Sequence, residues 1–380
     1  MTIRNFLIIL SIIVIGCKDE LLLDSTNYEP LIVVDGLITN EEGPYMVTIS
    51  QSMRVNFLEK NPYQNCIVTI IENTGTTEIL TEIEPGKYIS SENGIKGIIG
   101  NEYSISIFTP EGKEYHSDFQ ELKEPVDIES VYTERDALLR VDYNYGLPGY
   151  QFYVKTKKAS IQENYFLWNM TESYEYDADH MLAYYETKSG DQIYNGRYDT
   201  LKTCWKTQNV SYIFTGTTSK LSLPQITKQP LHFVGTDTKK LTKRYSVLVQ
   251  QYTIGEKTYN YWQSIEKQSS NDNFFASTQP YSIRGNIENI NNEEESLLGY
   301  FTVASVSQKR IFVKKSEDSF YYSTGLVITD QVAIREYKRN HNAPYFWTEL
   351  EDDVFGIIDG SCIDCRTEGG NLYHPEFWIE

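Results

Sequence analysis

Short apolar runs alternate with turn-forming residues between residues 28 and 124. In the run at 102–109, apolar residues at every second position alternate with Ser104 and Ser106, which is the pattern of a half-buried strand. Turn signals such as NEEGP, ENTG, EPG and PEG separate the runs. About seven short strands in about a hundred residues predict an immunoglobulin-like β-sandwich at 28–124. The clearest predicted strands are 31–38, 45–50, 66–72, 77–81, 86–90 and 102–109.

A second series of strand-like runs follows Pro125, which interrupts strand pairing in the segment 121–132. We therefore expect a second, larger β-rich domain at 125–380 that carries the Cys-x-x-Cys tail of the chain. The predicted fold class is all-β, with one or two short helices in the second domain. The strands predicted there are 150–156, 165–176, 208–214, 244–254, 282–287, 298–306 and 310–314.

One amphipathic helix is predicted at 256–270, in the sequence EKTYNYWQSIEKQSS. Tyr259, Trp262 and Ile265 recur there at helical spacing. We interpret this aromatic face as core packing, and a ligand-binding face is the alternative.

The amino-terminal segment combines one basic residue, Arg4, with an apolar run at 6–15. The run has roughly the ten residues of a signal-peptide core, whereas a membrane-spanning helix needs about twenty. It ends in VIGC, which resembles a bacterial lipobox. The predicted signal peptide is therefore 1–16, the thiol of Cys17 is the predicted lipid-attachment site, and 17–27 form a tether. A simple secretory signal followed by a coincidental cysteine is the alternative.

The residues after the lipobox, Lys18-Asp19-Glu20, are charged. They resemble the short acidic signal that exports Bacteroidota lipoproteins to the outer face of the outer membrane. Two or three acyl chains anchor a protein stably, because each buried methylene contributes about 0.8 kcal/mol. We therefore expect a lipid-anchored outer-membrane protein on the extracellular face, with the periplasmic face as the alternative.

The balance of charges restricts the classes of partner. The chain has 53 acidic and 34 basic residues, which gives a formal net charge of −19. Nucleic acid binding requires Lys and Arg to neutralise phosphates, so this charge argues against a nucleic-acid partner. It also disfavours direct binding to anionic lipid, which leaves the acyl group as the expected membrane contact.

Four cysteines remain after Cys17, and two of them form the C-x-x-C sequence of Cys362 and Cys365. A zinc site needs four ligands, and only His374 lies near in the sequence. A redox pair normally opens a helix in a βαβ unit, and no such pattern is present here. We predict a structural disulfide, either within C-x-x-C or between Cys204 and one of the pair. Cys66 lies in a strand-like run and is predicted to be a buried free thiol.

The segment NYFLWNMTESYEY, at 164–176, is rich in aromatic residues. Such rows can bind sugars or peptides, but they also fill the core of a sandwich. We favour core packing for the first part of the segment. Trp168, Tyr174 and Tyr176 are nevertheless the candidate ligand-binding residues, and Tyr174 and Tyr176 are the pair that we expect to be exposed.

No catalytic motif is recognisable in the sequence. G-x-S-x-G, H-E-x-x-H and a phosphate-binding glycine-rich loop before a helix are all absent. Carboxylates are so numerous that sequence alone neither identifies nor excludes a pair of catalytic carboxylates. We predict a protein that is not an enzyme, with no catalytic residues, no metal and no cofactor.

Several segments together resemble the Bacteroidota lipoprotein family known as domain of unknown function 4249. They are the lipobox, YEPLIVVDGLITNEEGPYMVTIS, NYFLWNMTESYEY, YSVLVQQYTI, QPYSIRGNIEN, LLGYFTVASVSQKRIFV and CIDCRTEGGNLYHPEFW. This family has no established activity, and its members look like surface lipoproteins that accompany TonB-dependent outer-membrane transporters. The resemblance implies a non-catalytic binding or accessory subunit of a SusC-like transporter barrel, with a ligand that the sequence does not name. The alternatives are a structural or adhesion lipoprotein with no transported ligand, and a glycan or peptide hydrolase.

Overall fold

The computed structural model describes residues 30–53, 61–140, 143–193, 198–269, 283–292, 294–295, 297–323, 325–350 and 353–378. The predicted signal peptide at 1–16, the predicted lipid-attachment site at Cys17 and the predicted tether at 17–27 lie outside these described residues. Among the helices that are described, none is both long enough and apolar enough to cross a membrane.

Strands dominate the described structure, and the predicted mainly-β fold class is confirmed. The first ten strands, β1 to β10, lie within the region predicted as the first domain. They are Ile32–Thr39, Met46–Gln51, Asn61–Pro62, Ile67–Glu72, Thr77–Ile79, Thr81–Glu84, Lys87–Ile89, Glu102–Phe108, Glu114–Ser117 and Gln120–Glu121.

The remaining described strands are β11 to β23. Two α-helices lie among them in the chain, α1 at Glu256–Ser269 after β19 and α2 at Gln331–Asn340 after β21. Helix α1 confirms the helix predicted at 256–270. The strands are Ile128–Arg140, Tyr143–Thr156, Tyr165–Asp177, Tyr184–Glu186, Gln192–Ile193, Thr203–Asn209, Phe214–Thr217, Gln229–Gly235, Tyr245–Ile254, Ile287–Asn289, Leu298–Val313, Tyr345–Glu349 and Phe355–Ile358.

The N-terminal region is a β-sandwich, in which two sheets share one hydrophobic core. One sheet has the strand order β20-β9-β8-β4-β5, with β10 paired to β8, and the other includes β1, β2, β7 and β6. Inward-facing side chains such as Val34, Val47, Val68 and Ile105 are fully buried between them. This alternation of buried and outward residues is the pattern from which the sandwich was predicted. The more specific immunoglobulin-like topology stays a prediction.

Strand β21 connects this sandwich to the second region. Its residues 298–304 pair in parallel with β1, and its residues 305–313 pair antiparallel with β19. Phe301 and Val303 thereby enter the core of the N-terminal sandwich. Ten described strands form one sheet in the order β16-β13-β19-β21-β1-β2-β7-β6, with β17 on β13 and β3 on β2. This sheet crosses the boundary predicted between 124 and 125, and the division into two domains stays a prediction.

The second region has a core on each side of the large sheet. On one side, the three-stranded sheet β11-β12-β18 covers β13 and β19, and Phe152, Trp168 and Val249 are buried between the layers. On the other side, helix α1 packs its Tyr259 against Leu167. The remaining strands form a small sheet in the order β15-β14-β22-β23.

Several predicted strands differ from the structure in their bounds. The strand predicted at 77–81 spans the break between β5 and β6, which belong to different sheets, and the strands predicted at 298–306 and 310–314 are one strand, β21. The chain leaves the sheet between β16 and β17, so the strand predicted at 208–214 is wrong, because these two strands pair with different parts of β13. The described residues 283–286 are irregular where a strand was predicted at 282–287. There the side chain of Asn286 binds the backbone N–H and C=O of Phe301, at 3.0 and 2.9 Å, in place of a strand partner.

Candidate functional site

A cleft of about 760 Å³ lies where helix α1 meets the edge of the N-terminal sandwich. We call it the junction cleft. One wall is α1, the other is the segment 283–290, and the base includes the end of β9 and Tyr300 of β21. Ligand sites occur preferentially at such junctions between structural units, and this volume lies within their usual range.

The helix wall of the junction cleft is one polar face of α1. Lys257, Asn260, Tyr261 and Ser264 line the cleft at spacings of three, four and seven residues, which places them on the same side of the helix. The helix is held against the sheet by Thr258, whose hydroxyl donates to Oε1 of Gln120 at 2.7 Å. The polar face is therefore presented to the cleft by a helix whose position is fixed by buried contacts.

The opposite wall is fixed by Asn286 and by strand pairing. The bonds between Asn286 and the Phe301 backbone hold the irregular segment against β21. The carbonyl of Asn286 also accepts from the backbone N–H of Asp118, at 3.3 Å, and β20 pairs with β9 immediately beyond it. Both walls are thus attached to the same sandwich edge.

Two tyrosine rings lie at the base of the cleft. The ring centroids of Tyr261 and Tyr300 are 4.5 Å apart, with planes inclined by 33°. Burial raises the pKa of Tyr300 to about 12, although a hydrogen bond with Thr258 acts in the opposite direction. Burial, followed by the nearby Asp35 carboxylate, also raises the pKa of Tyr261. Both hydroxyls are therefore neutral at physiological pH.

Charges of both signs are balanced around the cleft. Lys257 pairs with Oδ2 of Asp118 at 3.0 Å, and Arg284 and Glu288 lie on the opposite wall. The other carboxylate oxygen of Asp118 is buried and has no hydrogen-bond partner among the described residues. The cleft thus combines two carboxylates with two cationic groups, so it favours a polar ligand with little net charge.

Several polar groups of the cleft have no side-chain hydrogen-bond partner in the part of the chain that the structure describes. The amide of Asn260, the hydroxyl of Tyr261 and the carboxylate of Glu288 make no side-chain hydrogen bond to the described residues, and Asn260 and Glu288 are exposed. Such groups offer a ligand both hydrogen-bond donors and acceptors beside an aromatic surface. The arrangement suits binding.

The grouping of His116, Glu114 and Ser106 beside the cleft does not have the geometry of a catalytic triad. Nε2 of His116 lies 2.8 Å from Oε1 of Glu114 and 3.4 Å from the hydroxyl of Ser106. In a triad the serine and the carboxylate contact different ring nitrogens, because one nitrogen takes the serine proton while the other is held by the acid. Here both contacts fall on the same nitrogen.

The sequence-predicted ligand residues do not line this cleft. Trp168, Tyr174 and Tyr176 are all buried in the core of the second region, so the expected exposure of Tyr174 and Tyr176 is wrong. The three residues share the inward face of β13, because side chains an even number of positions apart on a strand lie on the same side. The hydroxyl of Tyr176 is satisfied there by the carbonyl of Cys365, at 2.6 Å.

The cysteines fix the C-terminal segment to the second region. Cys204 of β16 and Cys365 form a disulfide, which is one of the pairings that the sequence left open. Cys362 is a free, half-buried thiol and Cys66 a free, buried one. An antiparallel bridge between Trp205 and Asn371 lies beside the disulfide. The C-x-x-C sequence therefore contributes one cysteine to a long-range structural bond.

A buried cluster of ionisable residues was also not expected from the sequence. Glu172 of β13 is 1% exposed and accepts from Lys240 at 2.6 Å, Gln208 at 2.6 Å and Tyr245 at 2.8 Å. His232 lies 3.9 Å away. Burial alone would raise the pKa of Glu172, but the Lys240 ammonium and these hydrogen bonds lower it. Because the carboxylate is enclosed and fully partnered, we interpret the cluster as structural.

The residues of the junction cleft come from parts of the sequence that no single motif unites. The sequence places Lys257, Asn260, Tyr261 and Ser264 on one helix face, and that spacing is the signal from which the helix wall was predictable. The proximity of this face to Asp118 and to segment 283–290 depends on the pairing of β20 with β9 and of β21 with β1 and β19, which local patterns do not reveal.

Comparisons with known proteins support a family assignment. No curated protein matches the chain. The model of the family described as "Domain of unknown function (DUF4249)" matches residues 18–310, a span that includes every residue of the junction cleft but not the C-terminal cysteines. Because the match covers most of the 380 residues, the chain belongs to the DUF4249 family.

Proposed function

We propose that this chain is a lipid-anchored outer-membrane protein of the cell surface that binds a ligand without transforming it. In this proposal it acts as an accessory subunit of a TonB-dependent, SusC-like transporter. The junction cleft is the observation that carries the binding role, because it is lined by tyrosine rings and by polar groups that have no side-chain partner among the described residues. The lipobox at Cys17 supports the anchoring, and the family resemblance supports the transporter as the partner.

The balanced charges of the cleft indicate the kind of ligand. Because Asp118 and Glu288 face Lys257 and Arg284, a strongly cationic or strongly anionic ligand gains little electrostatic binding energy from the site. A ligand rich in hydroxyl or amide groups can use the carboxylate, amide and phenol groups together. Capture at the surface raises the ligand concentration near the transporter, since the lipid anchor keeps this chain in the membrane that contains the transporter.

The partner is tested by affinity purification of the C-terminally tagged, lipidated protein from gently solubilised outer membranes, followed by mass spectrometry. We expect a TonB-dependent barrel in stoichiometric amount. A Cys17→Ala variant is the control, because it separates retention by the partner from retention by the lipid. If the protein is folded and lipidated and no barrel co-purifies, the transporter role is wrong.

Ligand binding is tested separately by thermal-shift screening against uncharged oligosaccharides and short peptides. Tyr261→Ala and Asn260→Ala are expected to abolish any shift that the wild-type protein shows. Tyr322→Ala is the matched control, because Tyr322 is an exposed tyrosine outside the junction cleft. A shift that all three variants retain would place the ligand elsewhere.

A structural or adhesion lipoprotein with no transported ligand is the second candidate function. It is favoured by the large apolar side chains on the outer surface of the N-terminal sandwich. This candidate predicts a stable protein partner but no dependence of any small-molecule binding on Tyr261.

A further inference from the structure

The outward face of the sheet β20-β9-β8-β4-β5 carries a cluster of exposed apolar residues. Ile67 is 53% exposed, Ile79 is 67% exposed and Phe108 is 43% exposed. Their neighbours along the strands, Val68 and Ile107, point the other way and are fully buried in the sandwich core. We call Ile67, Ile71, Ile79 and Phe108 the apolar face.

The register of the strands makes these residues contiguous. Ile67 lies directly opposite Phe108. Ile71 lies four residues further along β4, on the same side of the strand. Ile79 lies opposite Thr69, between Ile67 and Ile71. Directly opposed side chains of an antiparallel pair lie about 5 Å apart, and diagonal neighbours are within reach of large side chains. Single exposed apolar residues are ordinary, but a contiguous group across three strands marks an interaction surface.

The Asp, Glu, Lys and Arg residues at the described outward strand positions of this face are all acidic, although Lys123 pairs with Glu121 at 2.8 Å and His116 lies 2.8 Å from Glu114. At the outward strand positions that the structure describes in this sheet, Glu102, Glu114, Glu121 and Glu288 are present and Lys and Arg are absent. A second copy of the chain would place carboxylates against carboxylates, and an anionic membrane surface would repel them. A protein surface with an apolar centre and basic residues around it complements both the apolar residues and the carboxylates of this face.

We propose that the apolar face is a docking site for a protein partner whose own interface is apolar at its centre and rich in Lys and Arg at its rim. This goes beyond the proposed function, because it specifies the contact surface and its chemistry whether or not the partner is a transporter. The face also adjoins the junction cleft, since His116 and Glu288 are outward residues of the sheet and line the cleft. A partner docked there covers or borders the mouth of the cleft.

The test is site-specific photo-cross-linking in living cells that express the lipidated full chain. A photoreactive amino acid replaces Ile79 in the apolar face, and a matched control replaces Ile83. Ile83 is 51% exposed in β6, at the edge of the other sheet of the sandwich. We expect an adduct with one protein from position 79 and none from position 83. Mass spectrometry then locates the cross-linked peptide, which is expected to lie on a Lys- and Arg-rich surface of that protein.

Two sets of variants connect the adduct to the proposed chemistry. With the probe at 79, Ile67→Lys combined with Phe108→Lys is expected to lower the adduct yield about tenfold, because central interface residues contribute that much or more to binding. Met46→Lys, on the other sheet and also exposed, is the control and should leave the yield unchanged. Glu114→Lys combined with Glu288→Lys should lower the yield without altering the apolar face. Circular dichroism verifies that each variant is folded.

The possible results separate the proposal from its rivals. An adduct between two copies of the chain, an adduct within one chain, an adduct with lipid alone or no adduct would each overturn it. Equal yields from positions 79 and 83 would do the same. A specific protein adduct that is lost in both sets of variants supports it. If that protein is not a transporter barrel, the docking site stands and the transporter role fails.

Discussion

Replacement of the buried Glu172 by alanine is expected to destabilise the protein strongly. The carboxylate holds together Lys240, Gln208 and Tyr245 in the core between β13 and β18. Its removal leaves the buried hydroxyl of Tyr245 and the half-buried side chains of Lys240 and Gln208 without their partner. Breaking a buried, hydrogen-bonded ion pair from one side typically costs about 3–5 kcal/mol of unfolding free energy.

A surface ion pair provides the matched control. Lys228 and Glu134 lie 2.7 Å apart, nearly the same distance as Lys240 and Glu172, but their side chains are about half exposed. Glu134→Ala should cost no more than about 1 kcal/mol, because solvent screens an exposed pair and competes for both partners. The two substitutions therefore differ mainly in burial and in the number of groups left without a partner.

The measurement is urea unfolding of the two variants and the wild type at pH 7, followed by tryptophan fluorescence. Trp168, one of five tryptophans in the chain, is buried in the same core as Glu172, so its share of the emission reports the opening of this layer. If both variants lose the same unfolding free energy, burial does not determine the contribution of Glu172 and the reasoning is wrong.

The pH dependence of stability supplies an independent check. The pKa of Glu172 in the folded protein lies below its ordinary value of 4.5. The unfolded chain therefore binds the proton more tightly, so the stabilisation is present above pH 4.5 and is lost as pH falls through the folded-state pKa. Wild-type protein should lose stability in this acidic range, and Glu172→Gln should lose less, because the amide does not titrate.

Other regions of the molecule give further expectations. Burial lowers the pKa of His232 from 6.5 to about 4. As the pH falls, the histidine is therefore protonated in the unfolded chain before it is protonated in the folded protein, and about 3 kcal/mol of unfolding free energy is lost between these pH values. His232→Gln should reduce that loss in urea unfolding at a series of pH values. The disulfide between Cys204 and Cys365 spans 161 residues, and its replacement by two alanines should cost up to about 5 kcal/mol in the same assay. Asn286→Ala removes two hydrogen bonds to the Phe301 backbone, so hydrogen exchange of that amide should accelerate in mass spectrometry while the fold remains.

The sequence predicted much of the local structure, because strand and helix periodicities are local properties. The strand predicted at 102–109 is β8, Glu102–Phe108, and the predicted helix at 256–270 is α1. Helix α2 was not located, although Asp330 caps it by accepting from the backbone N–H of Val332 and Ala333. A short helix after an acidic or polar residue is a weak signal in a chain otherwise composed of strands.

The errors at the aromatic segment have a definite physical cause. Residues 166–176 form one uninterrupted strand, so every even-numbered position shares the inward face. Tyr174 and Tyr176 therefore follow Trp168 into the core, and the same alternation also carries the charged Glu172 inward. A charge at an inward position departs from the pattern, but Lys240 and Tyr245 lie close enough to satisfy it. Applying the alternation strictly would have predicted the burial of both tyrosines and of the carboxylate.

The candidate site was inaccessible to sequence reasoning for a different reason. Its walls meet only because β21 runs through both regions, pairing with β1 in its first half and with β19 in its second. Tyr300 lies in the first half, and its ring contacts Tyr261 of the helix that packs on this part of the sheet. Because a continuous strand joins the two regions at the cleft, the walls cannot separate without breaking that ladder. The structure therefore favours a preformed cleft, and the apolar face beside it is positioned to bring a partner to its mouth.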